Sequence, residues 1–137
     1  MAIHVLTNAS LVYNSVDLSV YVTQITVTMS SEDVDITGMG ATARAHAPGL
    51  RDDRIEVTFL QDFAAAKVDA TIYAQQGGSG ATMVVKPTSS AVSATNPSYT
   101  MTAVPFDYTP IDGAVGEADT VTVTFLPGSG AIVRATS

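Results

Sequence analysis

The chain has no cysteine and no tryptophan, and only 14% of its 137 residues are charged. Without cysteine there are no disulfides, no thiolate nucleophiles and no thiolate metal ligands. Without tryptophan, and with the aromatic residues spread along the chain, there is little sign of an aromatic-lined binding groove. The charged fraction lies well below the roughly 25% of a typical soluble domain. Basic residues are scarcest: 6 Lys and Arg against 13 Asp and Glu, for a net charge of −7. That balance argues against nucleic-acid binding, which uses cations to neutralise phosphates, and against adhesion to an anionic membrane. No apolar run approaches the roughly 20 residues of a membrane span. The opening Met1-Ala2-Ile3-His4-Val5-Leu6 lacks a basic segment followed by a long apolar one. No signal peptide is therefore expected, and folding is expected in the cytoplasm where the chain is made.

Thr, Ser and Ala replace the missing charge, as suits a surface that packs against copies of itself. The length fits one domain, 1–137, able to bury a core unaided. Period-two alternation dominates the pattern. Between Val20 and Met29, residues Tyr21, Thr23, Ile25, Val27 and Met29 fall on one face, and Val22, Gln24, Thr26 and Thr28 on the other. Ile55, Val57 and Phe59 oppose Glu56 and Thr58, and Val121, Val123 and Phe125 oppose Thr120, Thr122 and Thr124. Such alternation indicates antiparallel strands with one face in a core. Further strands are expected over 2–6, 11–14, 34–37, 81–86, 98–108 and 132–135, with Pro105 at an edge or bulge. The Ala-rich stretch 62–75 predicts one helix, N-capped by Asp62, with Phe63, Ala66, Ala70 and Tyr73 at helical spacing and Gly77-Gly78 as a stop. The segment 37–53 reads as a long loop rich in Gly and Ala. A loop of that length is usually functional or ordered by a partner. Stretch 89–97 reads as a small-residue connector. The fold class is mainly β: an antiparallel sandwich or barrel with one flanking helix.

No catalytic chemistry emerges. His4 and His46 lie in no metal-ligand spacing and read as surface or packing histidines. Gly38-Met39-Gly40 and Gly128-Ser129-Gly130 complete no phosphate-binding pattern and read as turns. Glu32-Asp33-Val34-Asp35 has too few oxygen ligands for a calcium loop and reads as a solvated face. Asp52 and Asp53, imaginable as a general acid and base, read more simply as loop charges beside Arg51 and Arg54 that pair locally or with a neighbouring copy. No cofactor, metal or enzymatic activity is expected.

The order of features resembles the major tail tube proteins of siphophages, especially those of phages infecting actinobacteria. The resemblance rests on Asp17-Leu18-Ser19 leading into Val22-Thr23-Gln24-Ile25-Thr26-Val27, on Asp35-Ile36-Thr37-Gly38-Met39-Gly40, and on Pro48-Gly49-Leu50-Arg51-Asp52. It continues through 55–63 into the Ala-rich helix, then Lys86-Pro87, 93–99, Tyr108-Thr109-Pro110-Ile111, Thr122-Val123-Thr124-Phe125 and Arg134-Ala135-Thr136. It spans nearly the whole chain, and the ordered set carries it rather than any one motif. It implies a tail-tube β-fold whose subunits form stacked hexameric rings, with long loops and terminal arms bridging copies and a lumen that conducts viral DNA. The implied partners are other copies, a tape measure protein, tail tip or baseplate and tail terminator proteins, in the tail of a virion. Beside that resemblance, Arg44, His46, Leu50, Arg51, Asp52 and Arg54 are candidate contacts between subunits. Asp33, Asp35, Glu56 and Asp107 are candidate lumen carboxylates, since a cationic wall would bind passing phosphates. The competing readings are a tube protein of a contractile tail, gene transfer agent or secretion-like system, and a tail or capsid decoration module.

Overall fold

The computed structural model describes residues 3–137. The strands in chain order are β1 (Ser10–Tyr13), β2 (Val16–Asp17), β3 (Val22–Thr28), β4 (Ser31–Asp35), β5 (His46–Arg51), β6 (Arg54–Leu60), β7 (Ala81–Lys86), β8 (Ser98–Tyr108) and β9 (Thr120–Ala135). Among the described residues one short α-helix, α1 (Val68–Tyr73), lies between β6 and β7, and a 3-10 turn over Ser19–Tyr21 precedes β3. Seven strands form one antiparallel sheet in the order β2-β1-β7-β8-β9-β6-β3, curled into a half-barrel. Strands β4 and β5 pair separately as a two-stranded arm. The expected mainly β antiparallel architecture is thus the one adopted.

The alternating segments explain the core. Ile55, Val57 and Phe59 of β6 and Val121, Val123 and Phe125 of β9 are fully buried. They pair directly: Ile55 with Phe125, Val57 with Val123, Phe59 with Val121. Leu11 and Tyr13 from β1, Val68 and Ile72 from α1, Met83 and Val85 from β7, Met101 and Ala103 from β8, Ile132 from β9, and Leu18 join the cluster. The Tyr13 and Phe125 rings meet at 5.1 Å between centroids, tilted by 59°. The buried Tyr13 hydroxyl donates to the Ala103 carbonyl at 2.8 Å, so its polar end has a partner. The β1–β2 turn places Asn14 and Ser15 both at positive φ, the backbone of a two-residue hairpin loop.

Five local expectations need correction. The first concerns the helix, which is six residues long rather than spanning 62–75. Ala66 sits at φ +59, and the Asp62 carboxylate accepts from the Ala64 N–H in a turn instead of capping a helix. Its buried stripe is Val68, Thr71 and Ile72, while Phe63, Ala66, Ala70 and Tyr73 face outward. Spacing gave the right period and the wrong phase, because the Ala-rich face has less to bury. Second, a bulge at Thr23 pairs Val22 with Phe59 but Gln24 with Thr58. Val22 therefore joins Ile25 and Val27 against the core, although they differ in parity.

The third correction is at 132–135, which is no separate strand: β9 runs unbroken from Thr120 to Ala135 through the glycines. A Cβ at Gly128 would lie 2.6 Å from the Ser79 carbonyl, so glycine there admits a neighbouring backbone rather than turning the chain. Fourth, residues 3–6 form no strand, and Ala2, the first residue of that expectation, lies outside the described residues. Last, six residues of the expected loop 37–53 are strand β5, and the loop proper runs only over 36–45. An Asp33–His46 contact joins β4 to β5 and Arg44 of the loop reaches back to Asp35, contacts which periodicity along either strand does not reveal. Pro105 does sit at a bulge. It opposes Phe125 while Asp107 opposes Thr124, leaving Phe106 as the extra, exposed residue.

Candidate assembly surfaces

The first surface is the face of the sheet opposite the core. Register places Thr26 of β3, Glu56 of β6, Thr124 of β9 and Asp107 of β8 in one row across four strands. A second row joins Gln24, Thr58 and Thr122, with the last two hydroxyls 3.2 Å apart. Arg54 borders this face and reaches the Glu56 carboxylate at 3.3 Å. The face is polar, short-chained and sparingly charged. Of the four candidate lumen carboxylates, Glu56 and Asp107 share it, whereas Asp33 and Asp35 lie apart on the β4–β5 arm.

The arm is the second surface. On it, the Asp33 carboxylate lies 2.7 Å from His46 Nδ1, and Asp35 accepts from Arg44 at 2.6 Å. Thr37, then Arg44, hold the Asp35 carboxyl below the usual aspartate range. Thus two of the candidate contact residues, Arg44 and His46, pair with two of the candidate carboxylates. All residues of β4 are exposed, as are Leu50, Ile36 and Met39. Apolar side chains on a lone two-stranded ribbon gain little from their own fold, since such ribbons are marginal in water. Arg51 and Asp52 end the arm, with Asp52 exposed and Arg51 turned back onto Asp53.

Asp53 pairs locally with Arg51, as expected of a charge beside it, but its burial is not legible in the sequence: it is only 1% exposed. Its carboxylate accepts from Arg51 Nε and the Ser30 N–H at 3.1 Å through one oxygen. Through the other it accepts from Arg51 Nη2 at 2.7 Å and the Ile132 N–H at 2.8 Å. Burial pushes this carboxyl up, but the bonds from Ile132, Arg51 and Ser30 outweigh it and leave the group below its ordinary value. Two donors come from distant parts of the chain, so no local pattern announces the site.

The third surface is a trough of about 310 Å³ between the N-terminal segment and the half-barrel. Leu6, Ile25, Val27, Met29, Val85 and Tyr99 are among its lining residues. It lies against β3, whose outer edge carries no strand among the described residues. An unpaired edge is a template for another chain. Among the described residues, no three His, Asp or Glu side chains are grouped to hold a metal, and no helix is long and apolar enough to cross a membrane.

No protein-family profile matches the sequence, and no curated protein matches it. Solved structures do. A chain from the sheath/tube terminator of PVC, an extracellular contractile injection system, in its extended state superposes with a TM-score of 0.73 at 9% identity, covering 98% of each chain. A chain from the tube-terminating cap of the anti-feeding prophage gives 0.70 at 12% identity, over 100% of this chain and 93% of that one. A chain from the virion of a native gene transfer agent particle gives 0.68 at 14% identity, over 93% and 95%. The fold is therefore of the class found in tail and tube assemblies of phage-like particles. These likenesses run end to end in both directions, so the arm and the half-barrel belong to one shared fold.

Proposed function

We propose that the chain is a structural subunit of a hollow tail tube, assembling with copies of itself into stacked hexameric rings within a phage-like particle. The observation that carries this reading is the end-to-end likeness to chains from three tube-bearing assemblies, one of them a gene transfer agent virion. A chain of similar fold lies in the tail of an empty gene transfer agent particle with C6 symmetry, which supports six subunits per ring. The outer edge of β3, the last strand of the sheet, and the exposed apolar residues of the β4–β5 arm are the surfaces that neighbouring copies would cover. The polar face bearing Glu56 and Asp107 would line the lumen, through which DNA passes without specific binding. Tape measure, terminator and tip or baseplate proteins would meet the tube at its bore and ends.

The motif order favours a siphophage tail. The structural likenesses favour a gene transfer agent or contractile system, and a sheath gene beside this one would decide for the contractile case. A second reading, a terminator or cap ring, is supported by the two likenesses drawn from terminator assemblies. Negative-stain imaging of the purified protein separates these readings. Hollow tubes of stacked rings are expected. Rings that never stack would favour the terminator, and a monodisperse small particle at high concentration would overturn self-assembly.

A further inference from the structure

The β4–β5 arm projects from the sheet on two short connections, one through Ser30 and one through Asp52 and Asp53. The two connections are tied to each other by the Asp52 N–H donating to the Ser30 carbonyl at 2.8 Å. They are tied to the sheet by one side chain. Asp53 gathers the Ser30 N–H from the entry to the arm, the Arg51 guanidinium from its exit, and the Ile132 N–H from β9. Strand β6 pairs with β9 only as far as Phe125, and Ile132 lies beyond that pairing. Outside this root, every residue of β4 and nearly all of β5 is exposed.

We propose that Asp53 is the positioning residue of the arm: its buried carboxylate fixes the direction in which β4–β5 leaves the half-barrel, presetting the arm for its neighbour. The consequence for assembly rests on the tube reading, but the positioning itself does not. Four donors converge on two oxygens, two on each, and an amide nitrogen in place of either oxygen would face two donors instead of accepting from them. Asp53→Asn therefore keeps the shape and breaks the latch. A docking segment held in one direction loses less entropy on binding than one that must be ordered first.

The absence of cysteine makes the test direct. Spin labels on Met39→Cys, in the arm loop, and Thr122→Cys, on the exposed face of the sheet, report the arm's direction by pulsed electron resonance in dilute protein. In the otherwise unchanged chain a single narrow distance distribution is expected. Adding Asp53→Asn is expected to widen it at least about twofold, while a second pair within the sheet stays narrow, as local opening requires. Arg51→Lys keeps the charge but loses the two-pronged bond, and should widen it less. It also serves as the test if Asp53→Asn fails to fold. A lowered melting temperature with an unchanged arm distribution would make Asp53 a core residue and overturn the proposal. Tubes enter only afterwards. Unchanged chain that forms no tubes counts against the tube reading alone, whereas a widened arm that still assembles at the normal rate counts against presetting.

Discussion

Two glycines and two tyrosines show what single residues contribute to this fold. Gly80 has φ +95, and a Cβ there would lie 2.7 Å from Val104 Cγ2 and 2.8 Å from the Ala103 carbonyl. A Cβ at Gly128 would meet the adjoining Ser79 carbonyl and the same Val104 methyl. Backbone strain and overpacking then act together, and Gly80→Ala is expected to cost about 1–3 kcal/mol in urea denaturation. A change within error would mean that the segment before β7 moves aside freely. Burial raises the phenol of Tyr13 to about 12, and burial, with Asp69 opposing Gln61, raises that of Tyr108 to about 12. Because the folded chain holds these protons more tightly than the unfolded one, their contribution is complete below the ordinary tyrosine value of 10.0. It is lost as pH rises toward 12. Melting temperature should therefore fall across that window, and Tyr13→Phe should fall less steeply than the parent. Parallel curves would show that Tyr13 ionises as easily folded as unfolded.

Among the elements, the arm is the one that folds least on its own account. Asp35 pairs with His46 where the strands end, and the loop between them spans 36–45. A two-residue Asn-Gly turn closes such a pair in a favoured geometry. Replacing residues 36–45 by Asn-Gly should leave the half-barrel melting within about 5 °C of the parent, since no core residue is removed. It should abolish tubes, and normal tubes from the shortened chain would remove the arm from assembly. How far the elements were legible in the sequence follows from where their stabilisation comes from. Strands β6 and β9 were readable because one face of each is buried along its whole pairing, so Val57 and Val123 announce themselves. Helix α1 was readable only in part. Val68 and Ile72 are set by the core beneath them, while the more conspicuous Phe63 and Tyr73 point away. The arm reads as loop because Asp33–His46 joins two strands and Asp35–Arg44 joins a strand to the loop, contacts invisible along one strand. Asp53 was unreadable for a related reason: Ser30 and Ile132 reach it only once the sheet has formed.

For the whole molecule the governing quantity is charge. A ring of six would carry a formal −42, six times the −7 of one chain, and like charge at that density weakens association unless it is spread or paired. It is partly paired here: Arg44, Arg51 and Arg54 each hold a carboxylate of their own chain. Glu56 and Asp107 sit on the polar sheet face with Thr124 between them. If this face lines the bore, its sign decides whether DNA slides or sticks. Converting both carboxylates to lysine turns that row from acidic to basic in every subunit. The double variant should still form tubes, since both side chains lie outside the core. It should now retain linear DNA in co-sedimentation, and retention should weaken by on the order of 10³ between ~50 and ~200 mM salt as displaced counterions return. Covalently closed circular DNA cannot thread a tube, so it reports the outer surface alone. Retention of linear but not circular DNA would put the threonine face in the lumen. Equal retention of both would put it outside, and the conduit would then have to be built from another face of the subunit.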